Sequence, residues 1–327
     1  MKLRGVEWGH VFNASGARGF AKEGYWFHAL GRPLGLRYEG ATFVTKTTTL
    51  MRRQGNMSLD DDHRPRSLAP SCVVVKPLSG VVLNAVGLSG PGAKTLIALW
   101  RRKYKSFGTS HASARFVVSF MSVEKTAEDR ITEAGSFVES LKPLVQAVGT
   151  DFIALQVNLS CPNVGLDTSH LLDEATSVLD RARWLGIPTM VKLNALVPPH
   201  LAAKLAAHEV CDAIVCSNTI PWGQLPDRID WGGLFGSEES PLSELGGGGL
   251  SGKPLLPIVE DWIRAARASG LHKPIVGGGG ILSSGDADRL IDAGASAIEL
   301  GSVSILRPWR VAGIIRHVNK RMSPREP

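Results

Sequence analysis

The densest chemistry in the chain lies in Asn158-Leu159-Ser160-Cys161-Pro162-Asn163. Two carboxamides, a hydroxyl and a thiol follow the apolar, strand-like run Phe152-Ile153-Ala154-Leu155-Gln156-Val157. A strand end running into a loop is where an α/β enzyme places its reactive groups. Asn158 and Asn163 each offer two donors and an acceptor, enough to hold a flat heterocycle by its edge. Cys161 stands between them as a proton acceptor. Pro162 stiffens the backbone and restricts Cys161 to extended conformations. The same residues would also make a plain polar turn, with Cys161 as a small buried filler, because Asn, Ser and Pro all favour turns.

Other polar residues sit at similar positions. Asn13-Ala14-Ser15-Gly16 are small enough to bring backbone close to a planar ligand, although a tight turn has the same composition. Lys46, followed by Thr47, Thr48 and Thr49, can pair with an anion or point into solvent. In Leu83-Asn84-Ala85-Val86-Gly87-Leu88, Asn84 suits a carboxamide-like edge, and the Gly87 and Leu88 backbone donors suit a carboxylate. Lys192 lies between Val191 and Leu193, so it is aimed into the barrel mouth from a buried strand. Lysines are rarely buried without a partner, which favours a functional role. A cation there would stabilise a bound ligand that carries or gains negative charge. Ser217-Asn218-Thr219 is a further polar trio at a strand end. Glycines cluster at 246–249, in Leu250-Ser251-Gly252, at 277–280 and in Gly301-Ser302. Such turns after the last two strands of a barrel make a phosphate site from backbone N–H groups and a helix N-terminus. No GxGxxG follows an early strand, which argues against a Rossmann site.

These positions need a scaffold. Eight apolar or β-rich runs occur at 11–13, 41–46, 115–120, 153–158, 189–193, 213–217, 274–277 and 297–300. Helical periodicity falls between them, at 127–148, 169–185, 198–208 and 254–269, and a last helix is expected from 308 to about 321. Alternating strands and helices imply a parallel sheet, and eight strands favour closure. The expected fold is a (β/α)8 TIM barrel filling residues 1–327 as one domain. Residues 47–92 and 218–253 exceed ordinary loops. They are expected as insertions after strands two and six that roof the C-terminal face.

The composition is that of a soluble globular protein, 43% hydrophobic and 20% charged. The net charge is +7, but the basic residues are scattered and carry no stacking platform, so a nucleic-acid role is not expected. Four cysteines with no CxxC pair indicate neither a zinc ribbon nor a disulfide framework. No apolar run approaches about 18 residues, and the first eleven residues lack a signal-peptide core. A reducing, cytoplasmic setting is expected.

Together these motifs resemble the dihydroorotate dehydrogenase family of flavin mononucleotide (FMN) barrels, over residues 13–302. The Asn-Leu-Ser-Cys-Pro-Asn stretch is the most specific element. The resemblance implies that Cys161 is the base for the C5 proton of dihydroorotate, as in the soluble class 1 enzymes, with hydride passing from C6 to flavin N5. It implies that Asn84, Asn158, Asn163, Asn218 and Thr219 bind the pyrimidine ring, and that Lys46 and the Gly87-Leu88 backbone meet its charge. Ala14, Ser15, Gly16, Thr47, Ser119, Lys192, Ser217, Gly252, Gly279, Gly280, Gly301 and Ser302 would hold FMN, with Lys46 and Asn158 touching both ligands.

The pattern departs in three places. Ser89-Gly90 replaces a residue plus asparagine, no proline follows Gly55-Asn56, and residues 60–70 are unlike the family. Substrate choice therefore stays open to another dihydropyrimidine such as dihydrouracil, although that subfamily carries histidine where Asn163 stands. A non-catalytic flavin-binding barrel is the remaining alternative. The class 1 acceptor is fumarate, or NAD through a separate iron–sulfur flavoprotein subunit. The Asn-Ala-Val-Gly-Leu run looks more like the NAD-linked branch. The chain has no cysteine cluster for an iron–sulfur centre of its own. A homo-oligomer is expected by resemblance.

Overall fold

The computed structural model describes residues 1–104, 115–159 and 168–323. A hairpin of β1 (Lys2–Leu3) and β2 (Val6–Glu7) precedes β3 (Val11–Asn13) and β4 (Phe43–Val44). Then come β5 (Val73–Lys76), β6 (Val81–Asn84), β7 (Phe116–Phe120), β8 (Ile153–Asn158), β9 (Thr189–Leu193) and β10 (Cys211–Cys216). The last four are β11 (Ile220–Pro221), β12 (Gly249–Gly252), β13 (Ile275–Gly278) and β14 (Ala297–Leu300).

Eight of these strands form one parallel sheet in the order β3-β14-β13-β10-β9-β8-β7-β4. A parallel bridge between Phe12 and Thr42 joins its two ends. Thr42 N–H donates to Val11 O at 2.8 Å, and Asn13 N–H donates to Thr42 O at 3.2 Å. The Asn13 side chain adds a stitch, its Nδ2 donating to Val44 O at 2.8 Å. The ring is thus closed, as the eight sequence runs predict. Its helices include α1 (Trp26–Gly31), α2 (Ala93–Lys103), α3 (Ala127–Val148), α4 (Thr168–Ala182), α5 (Pro199–Ala206), α6 (Trp231–Phe235) and α7 (Leu255–Ala268). They end with α8 (Ser284–Asp292), α9 (Val303–Leu306) and α10 (Val311–Met322). α3 starts where Thr126 accepts from Asp129 N–H, with Glu128 and Asp129 in the positive first turn. It buries Phe137, Leu141 and Leu144 against the sheet's outer face.

Alternation along the strands sorts the barrel interior into layers. Phe12, Val44, Val117, Ala154, Met190, Ala213, Val215, Val276 and Ala297 form one apolar cluster, with Met1, Leu3 and Trp8. Two residues further along the same strand faces lie Ser119, Gln156, Lys192, Ser217, Gly278 and Glu299. The interior therefore changes from apolar to polar toward the C-terminal ends of the strands.

Both insertions follow the strands expected. They also pair with each other in a four-stranded antiparallel sheet, β11-β12-β6-β5. Asn84 lies opposite Gly249, and Leu83 opposite Leu250. Leu250-Ser251-Gly252, grouped by sequence with the glycine turns, is a strand of this roof, β12. Its hydrogen-bonding groups are used in the ladder with β6.

Candidate functional site

Lys46 and Lys192 are both buried, at 8% and 5% exposure. That rules out a solvated Lys46. The Lys46 ammonium donates to Ser89 O at 2.5 Å and sits 4.8 Å from the centre of the Phe20 ring. Burial pushes its amine down to about 8, while Glu23 and Cys72 act in the opposite direction. Lys46 is thus charged below about pH 8 and neutral above it. Affinity for an anion held by Lys46 is expected to fall about tenfold per pH unit above 8. A titration of the binding of a flat carboxylate from pH 6 to 9.5 measures this, and Lys46→Met should flatten that limb. A limb that survives in Lys46→Met would have to come from another group.

Lys192 meets a partner that was not anticipated. Its Nζ lies 2.7 Å from Oε2 of Glu299, which is itself 3% exposed. The signal was present in the sequence. Ala297 faces the interior, so two-residue alternation sends Glu299 the same way. Gln156 was missed for the same reason and shares a face with Ala154.

A row of hydroxyls crosses the mouth between the first strands. Ser15 Oγ is 2.8 Å from Thr47 Oγ1, which is 3.0 Å from Ser119 Oγ, and Ser119 donates to Gln156 Oε1 at 3.2 Å. Each hydroxyl has one proton. Thr47 must therefore donate to Ser119, and Ser15 shares its proton between Thr47 and Thr45 O. Opposite, Asn218 Nδ2 donates to Asn158 Oδ1 at 3.1 Å, and Thr219 N–H donates to Asn218 Oδ1 at 3.0 Å. The two asparagines and the threonine are thus assembled as one group. Ser217 spends its hydroxyl on Asn218 O. Asn84 Nδ2 reaches Gly249 O at 3.3 Å, which ties it to the roof sheet. Cys161 and Asn163 lie outside the described residues. Leu159 N–H donates to Lys192 O at 3.0 Å, so the chain leading to them is anchored at the barrel mouth.

The glycines form a cradle. A Cβ on Gly280 would lie 2.7 Å from Leu256 N and 2.9 Å from Gly252 O. One on Gly279 would lie 3.2 Å from Leu255 Cβ, and one on Gly301 3.0 Å from Ala14 Cβ. Gly279 and Gly280 therefore meet the first turn of α7, Gly252 is pressed against Gly80 and Val81 at the start of β6, and Gly301 meets the loop after β3. Among the described residues, the N–H groups of Gly279, Gly280, Gly301 and Ser302 donate to no acceptor. Clustered free amides beside a helix N-terminus fit a phosphate. The Gly87 and Leu88 N–H groups are also without an acceptor among the described residues, and both residues have positive φ, 68° and 60°. Leu88 is a strained position for a branched residue. Gly16, with φ of 90°, would bring a Cβ within 3.9 Å of Lys46 Cγ.

Cys72, Cys211 and Cys216 are buried and unpaired. Burial raises all three thiols, Cys211 to about 12 and Cys216 well above its usual value. None of them is a workable base near neutral pH.

The closed barrel thus brings two buried lysines, a paired asparagine set and free amides after its last two strands to one end. The chain matches the family described as dihydroorotate dehydrogenase over residues 4–322. It is 30% identical over 313 residues to the catalytic subunit of dihydroorotate dehydrogenase B (NAD(+)) of Anoxybacillus flavithermus, across 93% of this chain and 84% of that one. It is 29% identical over 296 residues to dihydroorotate dehydrogenase A (fumarate) of Lacticaseibacillus paracasei, across 89% and 86%. The crystal structure of DHODH from Eimeria tenella in complex with ferulenol shares the fold, with a TM-score of 0.69 at 19% identity, across 98% of this chain and 82% of that one. The protein belongs to the dihydroorotate dehydrogenase family. No helix among the described residues is long and apolar enough to cross a membrane.

Proposed function

We propose that the chain is a single FMN-binding domain that oxidises dihydroorotate to orotate, a step of pyrimidine biosynthesis. The observation that carries this reading is the presence, in a chain of this family, of two buried lysines at the barrel mouth together with free amides after β13 and β14. The residues present fit FMN. Gly279, Gly280, Gly301 and Ser302 would take the phosphate, the small residues Ala14 to Gly16 would lie against the ring system, and Lys192 would face its pyrimidine edge. When bound, FMN supplies the acceptor for the hydride leaving C6 of the substrate.

The chain's own residues do the rest. Lys46 and the Gly87 and Leu88 amides bind the substrate carboxylate. Asn158, Asn218 and Thr219, joined by Asn163, read the ring edge and leave both faces free. Cys161 removes the C5 proton from one face, and the proton then resides on the sulfur. A thiol with a pKa near 8.5 is a workable base where water is excluded.

One observation favours a second reading. Gly90 stands where the family pattern has asparagine, and a Cβ there would lie 3.1 Å from Phe20 Cζ. Phe20 thus fills the space beside Lys46. That difference would suit another dihydropyrimidine, although the buried Lys46 ammonium still favours a ring with a carboxylate. We also propose that electrons leave for NAD through a separate iron–sulfur flavoprotein subunit; the Anoxybacillus relative is named as an NAD(+) enzyme's catalytic subunit. Denaturing the purified protein and identifying the released cofactor tests the domain. Turnover with NAD in the presence of such a subunit, against turnover with fumarate by the chain alone, tests the acceptor. Release of no FMN would overturn the reading.

A further inference from the structure

We infer that Glu299 is a positioning residue for Lys192, and that the pair sets how strongly the site favours reduced over oxidised flavin. This rests on the flavin reading above. Lys192 and Glu299 come from β9 and β14, which are separated in the sheet by β10 and β13. Their side chains meet inside the barrel, with Nζ 2.7 Å from Oε2 and side-chain exposures of 6% and 2%. Gly278 on the intervening β13 makes room for them. A Cβ there would lie 3.0 Å from Glu299 Cβ and 3.3 Å from Oε2. The apolar layer that includes Val215, Val276 and Phe12 lies on one side. The mouth residues lie on the other.

An ion pair in this setting is costly to desolvate and needs further partners to be well satisfied. Yet Glu299 Oε1 is buried with no hydrogen-bond partner. The carboxylate is therefore only half used by the protein, and its remaining effect is on the charge of Lys192. A lone ammonium beside the flavin pyrimidine edge would favour the reduced, negatively charged cofactor. A carboxylate at 2.7 Å offsets most of that charge while fixing the direction of the ammonium. The site is then closer to neutral than Lys192 alone would make it. The flavin keeps a lower potential and gives up its electrons more readily.

Glu299→Gln preserves shape and an acceptor for Lys192 but removes the negative charge. In the reconstituted holoenzyme, reduced flavin should gain on the order of tenfold in binding relative to oxidised flavin. That is a rise of about 30 mV in midpoint potential for a two-electron couple, read against an indicator dye during slow anaerobic reduction. Glu299→Asp retains the charge and should stay near wild type. A flavin-loaded Glu299→Gln with an unmoved potential, or equal shifts in the Gln and Asp variants, overturns the role of Glu299 and leaves the flavin reading intact. If Glu299→Gln does not fold, Glu299→Ala replaces it. Loss of the carboxylate with Lys192 retained should raise the potential by about the same amount, and an unmoved potential rejects the inference. A wild-type protein that takes up no FMN overturns the flavin reading, and this inference with it.

Discussion

Replacing Cys161 with alanine should slow flavin reduction by dihydroorotate about 10²- to 10⁴-fold while the protein stays yellow. That range is what a positioned general base contributes to a proton transfer. The other three thiols cannot substitute, because burial keeps them protonated. Stopped-flow mixing under anaerobic conditions measures the rate directly. Cys161→Ser should fall between wild type and alanine, and should recover with rising pH, since a hydroxyl ionises at much higher pH than a thiol. Flavin content should equal that of wild type in both variants, because no cofactor contact is assigned to the sulfur. Reduction at the wild-type rate in Cys161→Ala would remove the thiol from the chemistry.

Replacing Lys192 with methionine should destabilise the flavin-free protein by about 3–5 kcal/mol, because it leaves the Glu299 carboxylate buried without its cation. Urea unfolding gives the number. Adding Glu299→Gln to Lys192→Met should restore most of the loss, since a neutral pair has no uncompensated charge. In the same proteins, FMN retention should drop with Lys192→Met. A single variant as stable as wild type would mean that the pair is open to water, contrary to its burial.

Much of the scaffold could be read from local pattern. The strands at 153–158 and 189–193 and the helix at 127–148 lie where the apolar periodicities put them. The burial of Lys192 was legible because it lies inside an apolar strand. Glu299 was not, because Ala-Ile-Glu-Leu reads as an ordinary strand until its alternation is aligned with that of its neighbours. The roof sheet was legible only as two overlong loops. Its pairing joins Val82 to Ser251, and such a register leaves no local period in either segment. Asn13 shows the opposite limit. It was grouped with a ligand-binding turn, whereas its side chain is used to hold β3 to β4. Polar residues at strand ends look alike in sequence whether they serve a ligand or the backbone.

The most direct measurement is the visible absorbance of the flavin-loaded protein on anaerobic addition of dihydroorotate. Rapid bleaching is the expected result, with orotate formed in equal amount to the flavin reduced. A yellow protein that saturating dihydroorotate does not bleach, but dihydrouracil does, would contradict the assignment and make the Phe20–Gly90 contact the reason.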